Sequence, residues 1–508
     1  MIRASRQIVA VTTAGLLLTA CAPVGPDFVK PEAASKSEWT APREEFKFEP
    51  QDLIEWWQIF DDPVLNNLVT TARQENNNLK IAGLRVLEAR AILGIATGNR
   101  YPQTQILFGD ATTVGISEAA ASGGDRQSTQ YNLGAGATWE IDFWGRFRRG
   151  IEAADANLLA SIASYDDALV LLAAQVADAY AVIRTTQEQL RIARENLVLQ
   201  QRSYDIVDVL YRFGASNELD VQQAETLLLG TEATIPGLEA TLAQSKNALA
   251  TLLGMPPGDI SALLTGSETI PPFPEKVLVG LPADMLRQRP DVRRAELQAM
   301  AQNAQVGVAS ANLYPSFSLS GTLGLTASDD INDLFSSDGL SYSYGASFVW
   351  PFFNYERIKN SIRVEDARLQ QALMQYRETV IQAAREVEDA MLGIDGSRRQ
   401  FAILERSVVS AKRSTDLSML RYREGFADYQ RVLTAQQRLF SQQQRYISNK
   451  GLAVRNLISL YRSLGGGWQS HDSGFVDEES RSQMQERVDW GEYLEADHAS
   501  IRDPDTTE

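Results

Sequence analysis

The sequence has very few of the residues that enzymes use for chemistry. Its 508 residues include one cysteine, Cys21, and two histidines, His471 and His498. Two histidines near one end cannot supply an HExxH zinc site or a Ser-His-Asp triad, and one cysteine cannot form an intrachain disulfide. The Gly134-Ala135-Gly136 stretch lies inside a predicted strand, so it is not a phosphate-binding loop. We therefore expect no enzyme activity, no metal site and no dissociable cofactor.

Long apolar runs are also missing. Hydrophobic residues make up 44% of the chain and charged residues 22%, and no run is long enough to predict a transmembrane helix. The strands of a membrane β-barrel give only weak hydropathy signals, so a barrel is still compatible with this composition. The formal net charge is −17, and twelve acidic but only three basic residues fall in residues 468–508. This balance argues against nucleic acid as a partner.

The amino terminus has the pattern of a signal peptide. Arg3 and Arg6 precede about thirteen mostly apolar residues, which are too few to span a bilayer. Small residues then lead to Cys21, as in a bacterial lipobox, so we expect a covalent lipid on Cys21 as the first residue of the mature protein. The alternative, a buried free thiol, is disfavoured by the position directly after the apolar stretch. The residue after Cys21 is Ala22 rather than an aspartate. By resemblance to bacterial lipoproteins, this favours a location in the outer membrane.

One very long helix is predicted after Gly150. No glycine or proline occurs from there to Gly214, and apolar residues follow alternating steps of four and three from Leu158 to Tyr211. A 3.5-residue period over about seven heptads predicts helices in a left-handed supercoil. At 1.5 Å per residue, about 65 helical residues measure roughly 100 Å.

The segment that contains this helix occurs twice. Residues 139–142 align with residues 350–353, and residues 211–214 with residues 422–425, both at an offset of 211. Tyr101-Pro102 aligns with Tyr314-Pro315 at an offset of 213, so a loop between two strands absorbs two residues. Each half is predicted as helix, strand, strand, long helix, turn, helix. Only the first half carries a Pro-Gly pair in its last helix, at Pro236, so we expect a kink there alone.

The strands of both halves alternate between two kinds of side chain. Tyr342, Tyr344 and Phe348 alternate with serines and a glycine, which is the pattern of a barrel with lipid outside and water inside. A half-buried strand of a soluble sandwich also alternates. Four strands cannot close a barrel, since small barrels need about eight. The residues thus predict an oligomer, of two, three or four copies.

Several motifs together resemble the TolC-like outer-membrane efflux family, specifically its NodT-like lipoprotein branch. They are the stretch from Cys21 to Phe28, Trp56-Trp57 with Phe60 to Pro63, Trp139 to Arg146, Arg289-Pro290-Asp291-Val292 with Ala295-Glu296, and Tyr422 with Gly425, Asp428-Tyr429, Val432-Leu433 and Ala435-Gln436. The resemblance implies a homotrimer with a twelve-strand barrel and a periplasmic tunnel of twelve helices. It also implies a periplasmic adaptor (membrane fusion) protein and an RND-type inner-membrane transporter as partners.

The resemblance also suggests roles for the ends of the long helices. The turns would form the periplasmic aperture and contact the adaptor, although simple helix–turn–helix geometry with Gly214 and Gly425 as C-caps explains them equally. Candidate aperture residues are Asp416, Asp205, Arg421 and Arg423. Candidate adaptor contacts are Tyr211, Arg212, Gly214, Tyr422, Gly425 and Asp428. A ring of carboxylates in a narrow throat would attract cations; the alternative is an outward, solvated face.

The predicted fold is mainly α with a membrane β-barrel: long antiparallel coiled-coil helices, plus four strands per chain. The predicted segments are residues 1–20 (signal peptide), 21–62 (lipidated tether), 63–100 (helix), 101–142 (strands), 143–254 (helical hairpin), 255–281 (linker), 282–313 (helix), 314–353 (strands), 354–467 (helical hairpin) and 468–508 (acidic tail). We expect an outer-membrane exit duct for small toxic molecules. The alternatives are a duct for ATP-driven protein secretion, or a lipid-tethered coiled-coil scaffold without a pore.

Overall fold

The computed structural model describes residues 23–31, 39–40, 46–47, 53–117, 127–258, 260–266, 269–274, 277–278, 288–469 and 474–494. Cys21, His471 and His498 lie outside these ranges. The helices are α1 (Pro63–Glu75), α2 (Asn77–Gly98), α3 (Arg146–Arg212), α4 (Glu218–Glu232), α5 (Thr234–Leu252), α6 (Pro290–Ala311), α7 (Arg357–Arg423), α8 (Tyr429–Ser463) and α9 (Glu478–Arg487). The strands of the main sheet are β1 (Thr104–Gly115), β2 (Gln127–Ile141), β3 (Ser316–Ser328) and β4 (Leu340–Val349).

The main sheet is antiparallel throughout, in the order β1-β2-β3-β4. Strands from the two repeats meet at its centre, where Gly134 of β2 pairs with Gly324 of β3. A separate parallel pair joins Phe46–Lys47 to Val277–Leu278. Among the described residues, the edge strands β1 and β4 of the main sheet each pair with a neighbour on one side only.

The chain divides into two compact units, and each takes segments from both repeats. The first comprises Met1–Glu32, Val86–Ser161 and Arg294–Tyr376, and holds the main sheet. The second comprises Ala33–Arg85, Ile162–Arg293 and Arg377–Glu508, and holds the turns that follow α3 and α7.

One hydrogen bond occurs at equivalent places in the two repeats. The indole Nε1 of Trp139 donates to the carbonyl oxygen of Arg100 at 3.1 Å. In the second repeat, Nε1 of Trp350 donates to the carbonyl oxygen of Leu313 at 3.0 Å. Each bond joins a strand to the segment between the preceding helix and the first strand of its half. The sequence repeat is therefore also a repeat of local structure.

The aromatic and acidic motif before α1 forms part of the core of the second unit. Trp56 stacks on Tyr461 with ring centroids 5.3 Å apart. Asp62 caps α1 by accepting from the backbone N–H of Val64 at 2.9 Å, and Pro63 takes the first helical position, where its missing N–H costs nothing. The second carboxylate oxygen of Asp62 accepts from the Tyr180 hydroxyl at 2.6 Å. Asp62 therefore fixes the start of α1 against α3.

Helix α3 contains the most apolar stretch found among the described helices. Over 18 residues its mean hydropathy is 1.4, so by length and composition alone it could cross a membrane. The stretch is rich in alanine and leucine but is not an unbroken apolar run. Since 61% of this stretch is buried within the protein, its apolar side chains have a core to pack in.

The two hairpins differ in their second helices. In the first repeat the helix breaks at Ala233, between α4 and α5. Pro236 has no N–H to bond the carbonyl four residues earlier, and its ring crowds that carbonyl, so the break falls just before it. In the second repeat α8 runs unbroken from Tyr429 to Ser463, through Ile447 and Ser448. The kink that Pro236 predicts is a helix break.

The described part of the acidic tail, residues 474–494, packs against the second unit. The ring of Phe475 lies edge-on to Tyr165 at 5.3 Å, and Phe475 is buried. Its carbonyl oxygen sits directly on Gly83 of α2, where a side chain would overlap it. Asp477 caps α9 by accepting from the backbone N–H of Ser480 at 3.0 Å.

Candidate functional site

The turns after α3 and α7 have the same backbone structure. Gly214 and Gly425 adopt φ values of 75° and 77°. In the first turn, the N–H of Gly214 donates to Tyr211 O at 2.9 Å, and the next N–H donates to Leu210 O at 2.7 Å. In the second turn, the N–H of Gly425 donates to Tyr422 O at 3.0 Å, and the next N–H donates to Arg421 O at 2.8 Å. This pair of bonds is the Schellman motif, whose left-handed residue favours glycine. It ends both helices at equivalent positions.

A small hydrophobic core stabilises the turns. Its buried members are Val207, Val221, Ala224, Tyr429, Val432 and Leu433, with Tyr204, Leu227, Met419 and Tyr422 packed against them. Tyr429 is 1% exposed, and burial raises the pKa of its phenol, with further contributions from Tyr422 and Asp220. The two hairpins thus share one core at their turns.

A polar contact also joins the two hairpins. The Tyr422 hydroxyl lies 3.4 Å from the Oγ of Ser216, which donates to an Asp220 carboxylate oxygen at 3.0 Å. Tyr422 also packs edge-on against Tyr429, with centroids 5.2 Å apart. Burial raises the pKa of Tyr422, against the effect of its hydrogen bond to Ser216. Tyr422 was predicted as a tip residue; Ser216 and Asp220 were not.

The predicted aperture residues are all exposed on the helices near the turns. Asp205 accepts a hydrogen bond from Gln201 at 2.8 Å. Among the described residues, no ion pair joins Asp416, Arg421 or Arg423 to another side chain. The single chain therefore does not bring these arginines and Asp416 together, and their role in closing an aperture stays a prediction.

The predicted adaptor contacts lie at or beside the two turns. Arg212 pairs with Asp208 one helical turn earlier at 2.7 Å, and Asp428 lies 3.7 Å from Arg431. Tyr211, the first-repeat equivalent of Tyr422, is 42% exposed. These residues form a polar, solvated surface, and their contact with an adaptor also stays a prediction.

The main sheet has one polar face crossed by a row of hydrogen bonds. Asn132 donates to Asp110 at 3.1 Å and accepts from Thr326 at 3.2 Å, and Thr326 lies 3.0 Å from the hydroxyl of Ser341. The row joins side chains of all four strands. The opposite face carries Trp139, Leu319, Tyr342, Tyr344 and Phe348. This separation matches the predicted pattern of a water-facing and a lipid-facing side.

Strand β1 departs from this pattern. Phe108 and Ile106 pair with Gly134 and Gly136 on the polar face. The tip of the Phe108 ring is 3.0 Å from the place where a Cβ on Gly134 would sit, so the ring lies on a surface that only glycine leaves open. The alternation of β1 alone gave no sign of this arrangement.

Aromatic side chains gather where strands pass into helices. Trp144 stacks on Tyr314 at 4.5 Å, and Phe143 contacts Phe317 at 5.6 Å. In the second repeat Trp350 lies 6.1 Å from Phe352, and Phe353 lies 4.8 Å from Tyr355. Tryptophan and tyrosine favour the membrane–water interface, so this layer is where the sheet is expected to leave the membrane. No group of metal-ligating side chains occurs within the described ranges.

Comparison with known proteins identifies the class. The family model described as "Outer membrane efflux protein" matches residues 68–255 and 281–466, which together make up most of the chain. The two matched ranges start 213 residues apart and end 211 apart, the same offsets as the internal repeat. The chain belongs to the outer membrane efflux protein family. It is an outer-membrane efflux channel.

Individual relatives are similar to this chain over most of their length. The chain is 31% identical over 414 residues to the cation efflux system protein CusC of Escherichia coli O6:H1, covering 82% of this chain and 88% of the relative. It is 32% identical over 426 residues to nodulation protein T of Rhizobium leguminosarum bv. viciae, covering 83% and 85%. The solved outer-membrane channel OprN aligns with a TM-score of 0.82 and 32% identity, covering 88% of this chain and 100% of that one. These matches confirm the fold class.

Proposed function

We propose that three copies of the chain form the exit duct of a tripartite efflux pump. The observation that carries this is the four-stranded sheet with an aromatic face, a polar face and two open edges. Unpaired strand edges are not tolerated in hydrocarbon, so β1 and β4 must pair with other copies. Three copies would supply twelve strands, the number that the family resemblance implies.

The duct would be passive. The polar face carries mainly hydroxyl, amide and glycine residues, together with Asp110 and the apolar Ile106 and Phe108 of β1. Energy would come from an RND-type transporter in the inner membrane, through a periplasmic adaptor that contacts the hairpin turns. A covalent lipid on Cys21 would attach each chain to the outer membrane.

The cargo would be chosen by the inner-membrane partner. The names of three relatives refer to cations, to pyoverdine and to solvents, so similar ducts serve chemically different cargoes. A water-filled passage lined by small polar side chains has no obligate recognition site. We therefore propose small toxic molecules as the class and assign no single compound.

The experiment is affinity capture of the tagged full chain from cross-linked membranes, with a tagged unrelated outer-membrane lipoprotein as control. Recovery of an RND-type transporter and an adaptor, absent from the control, is the expected result. Recovery of an ATP-driven exporter would instead establish protein secretion. A gel that compares unheated with heated samples tests the barrel, because a folded barrel changes its mobility when it is heated. Equal mobility in both samples would favour the scaffold without a pore.

A further inference from the structure

Residues 23–31, which we call the amino-terminal strap, are extended and packed against the first unit. Pro23 rests on Gly145, where any side chain would overlap its Cα and Cβ. The N–H of Val24 donates to the carbonyl oxygen of Trp144 at 3.0 Å. The strap therefore begins at the junction between β2 and α3. The sequence predicts only a lipidated tether over residues 21–62, which would not by itself require such contacts.

Arg149, in the first turn of α3, holds the strap by its guanidinium. It donates to Val24 O at 3.3 Å, to Gly25 O at 3.4 Å and to the Asp27 carboxylate at 2.7 Å. Its remaining bond goes to Glu152 at 2.7 Å. Only 5% of the Arg149 side chain is exposed, and a buried cation is stable only when its donors are satisfied. The strap supplies three of the four acceptors.

Helix α6 of the second repeat holds the other side of the strap. Asn303 donates to Pro26 O at 2.8 Å, and Lys30 pairs with Glu296 at 2.8 Å. Gly25, with φ of 96°, lies against Gly307 so closely that a Cβ would overlap the Gly307 backbone. The Arg149 stem also passes over Gly307. Glycines on both sides thus make room for the strap between α3 and α6.

We propose that Arg149 is a positioning residue for the amino-terminal anchor, an inference that rests on the lipid proposed for Cys21. Two residues of extended chain span about 7 Å, so a lipid on residue 21 would start within about that distance of Pro23. Pro23 sits beside Trp144 and its stacked partner Tyr314. Docking the strap would then hold the lipid near the aromatic layer, so that its acyl chains enter the membrane beside the sheet.

The test measures cleavage between Val29 and Lys30 by a protease that cuts on the amino-terminal side of lysine, in outer membranes that hold the full chain. Arg149→Ala is expected to raise the cleavage rate about tenfold or more, because opening becomes more frequent when a buried charge-assisted contact is lost. Arg149→Lys should rescue only in part, since an ammonium lacks the planar fork. Arg191→Ala is the control: Arg191 lies on the same helix and pairs with Glu188 and Glu195. Equal rates in Arg149→Ala and Arg191→Ala would overturn the proposal.

Two further variants keep the test decisive. Asp27 is 89% exposed, so Asp27→Asn leaves folding intact and should raise cleavage in the same direction by less; an unchanged rate would contradict the Arg149 contact. A Cys21→Ser chain exported behind a non-lipoprotein signal peptide should keep its strap protected; cleavage as fast as in Arg149→Ala would mean that the lipid, not Arg149, holds the strap. Palmitate labelling of the native chain tests the lipid separately. If no label were incorporated, the proposed lipid on Cys21 would be wrong, but the protease result would still show whether Arg149 docks the strap.

Discussion

The Tyr422 hydroxyl lies 3.4 Å from the Oγ of Ser216, a bond between residues 206 positions apart that joins the two hairpins of one chain. Ser216 is held in turn by the Asp220 carboxylate, and the backbone N–H of Asp220 donates to Asn217, the N-cap of α4. Any outward movement of the end of α7 relative to the first turn must break the Tyr422 bond. Tyr422 is therefore placed to oppose separation of the hairpins.

Removing this hydroxyl should make separation easier. In Tyr422→Phe the ring keeps its packing on Tyr429 while one hydrogen bond, worth about 1 kcal/mol, is lost. We expect more frequent or larger openings in planar-bilayer recordings. Tyr211→Phe is the control, because Tyr211 is the equivalent residue of the first repeat and is largely exposed. Identical recordings from the two variants would show that the Tyr422–Ser216 bond does not restrain the turns.

The turn glycines and a helix glycine should respond to alanine with opposite signs. No atom lies within 4 Å of a Cβ added at Gly214, Gly425 or Gly396, so backbone conformation alone decides. Gly214→Ala and Gly425→Ala should each destabilise by about 1–2 kcal/mol, because left-handed φ is unfavourable for alanine. Gly396→Ala, inside α7, should stabilise by about 0.5–1 kcal/mol. Denaturant melts of the purified protein measure both; destabilisation by Gly396→Ala would contradict this account.

Asp416 is expected to contribute to the selectivity of the passage. It is exposed on α7 nine residues before Gly425, so copies in an oligomer can place several carboxylates near one throat. Asp416→Ala should reduce the preference for cations in bilayer recordings, since carboxylates held in a narrow throat attract cations and repel anions. Glu232→Ala removes an exposed carboxylate from α4 and is the matched control. Equal cation selectivity in both variants would put Asp416 on an outward face.

Gly83 should be intolerant of the residue that helices normally prefer. Alanine in a helix is favoured over glycine by about 0.5–1 kcal/mol, yet a Cβ at Gly83 would overlap the Phe475 carbonyl. Gly83→Ala should therefore release the tail and expose residues 474–494 to limited proteolysis. Gly230→Ala, in α4 with open space around it, should leave the tail protected. An intact tail in Gly83→Ala would mean that the tail can dock elsewhere.

Much of the fold could be predicted because its signals are local and repeated. The heptad period, the absence of glycine and proline between Gly150 and Gly214, and the alternation in β4 each act over neighbouring residues. The partners of Tyr422 could not be predicted, because Ser216 and Asp220 lie in the other repeat and their equivalents are Ala427 and Arg431. The Arg149 contacts were missed for a similar reason. Two of the four are made to backbone carbonyls, which no side-chain pattern records.

The predicted aperture residues show that the symmetry of the repeat does not extend to side-chain contacts. Asp205 and Asp416 occupy equivalent positions, but in this chain one accepts a hydrogen bond from Gln201 and the other has no ion pair among the described residues. Arg421 and Arg423 likewise contact no carboxylate there. Equivalent positions in a repeat share a backbone; their side-chain partners depend on neighbours that have diverged.

The break at Ala233 has a consequence for stoichiometry. In one hairpin the second helix is interrupted between α4 and α5, whereas in the other it continues as a single helix through α8. Any ring assembled from this chain alternates two kinds of hairpin, so a ring of three copies presents three of each. A partner whose subunits are all identical must then either bind in two different ways or occupy every second position.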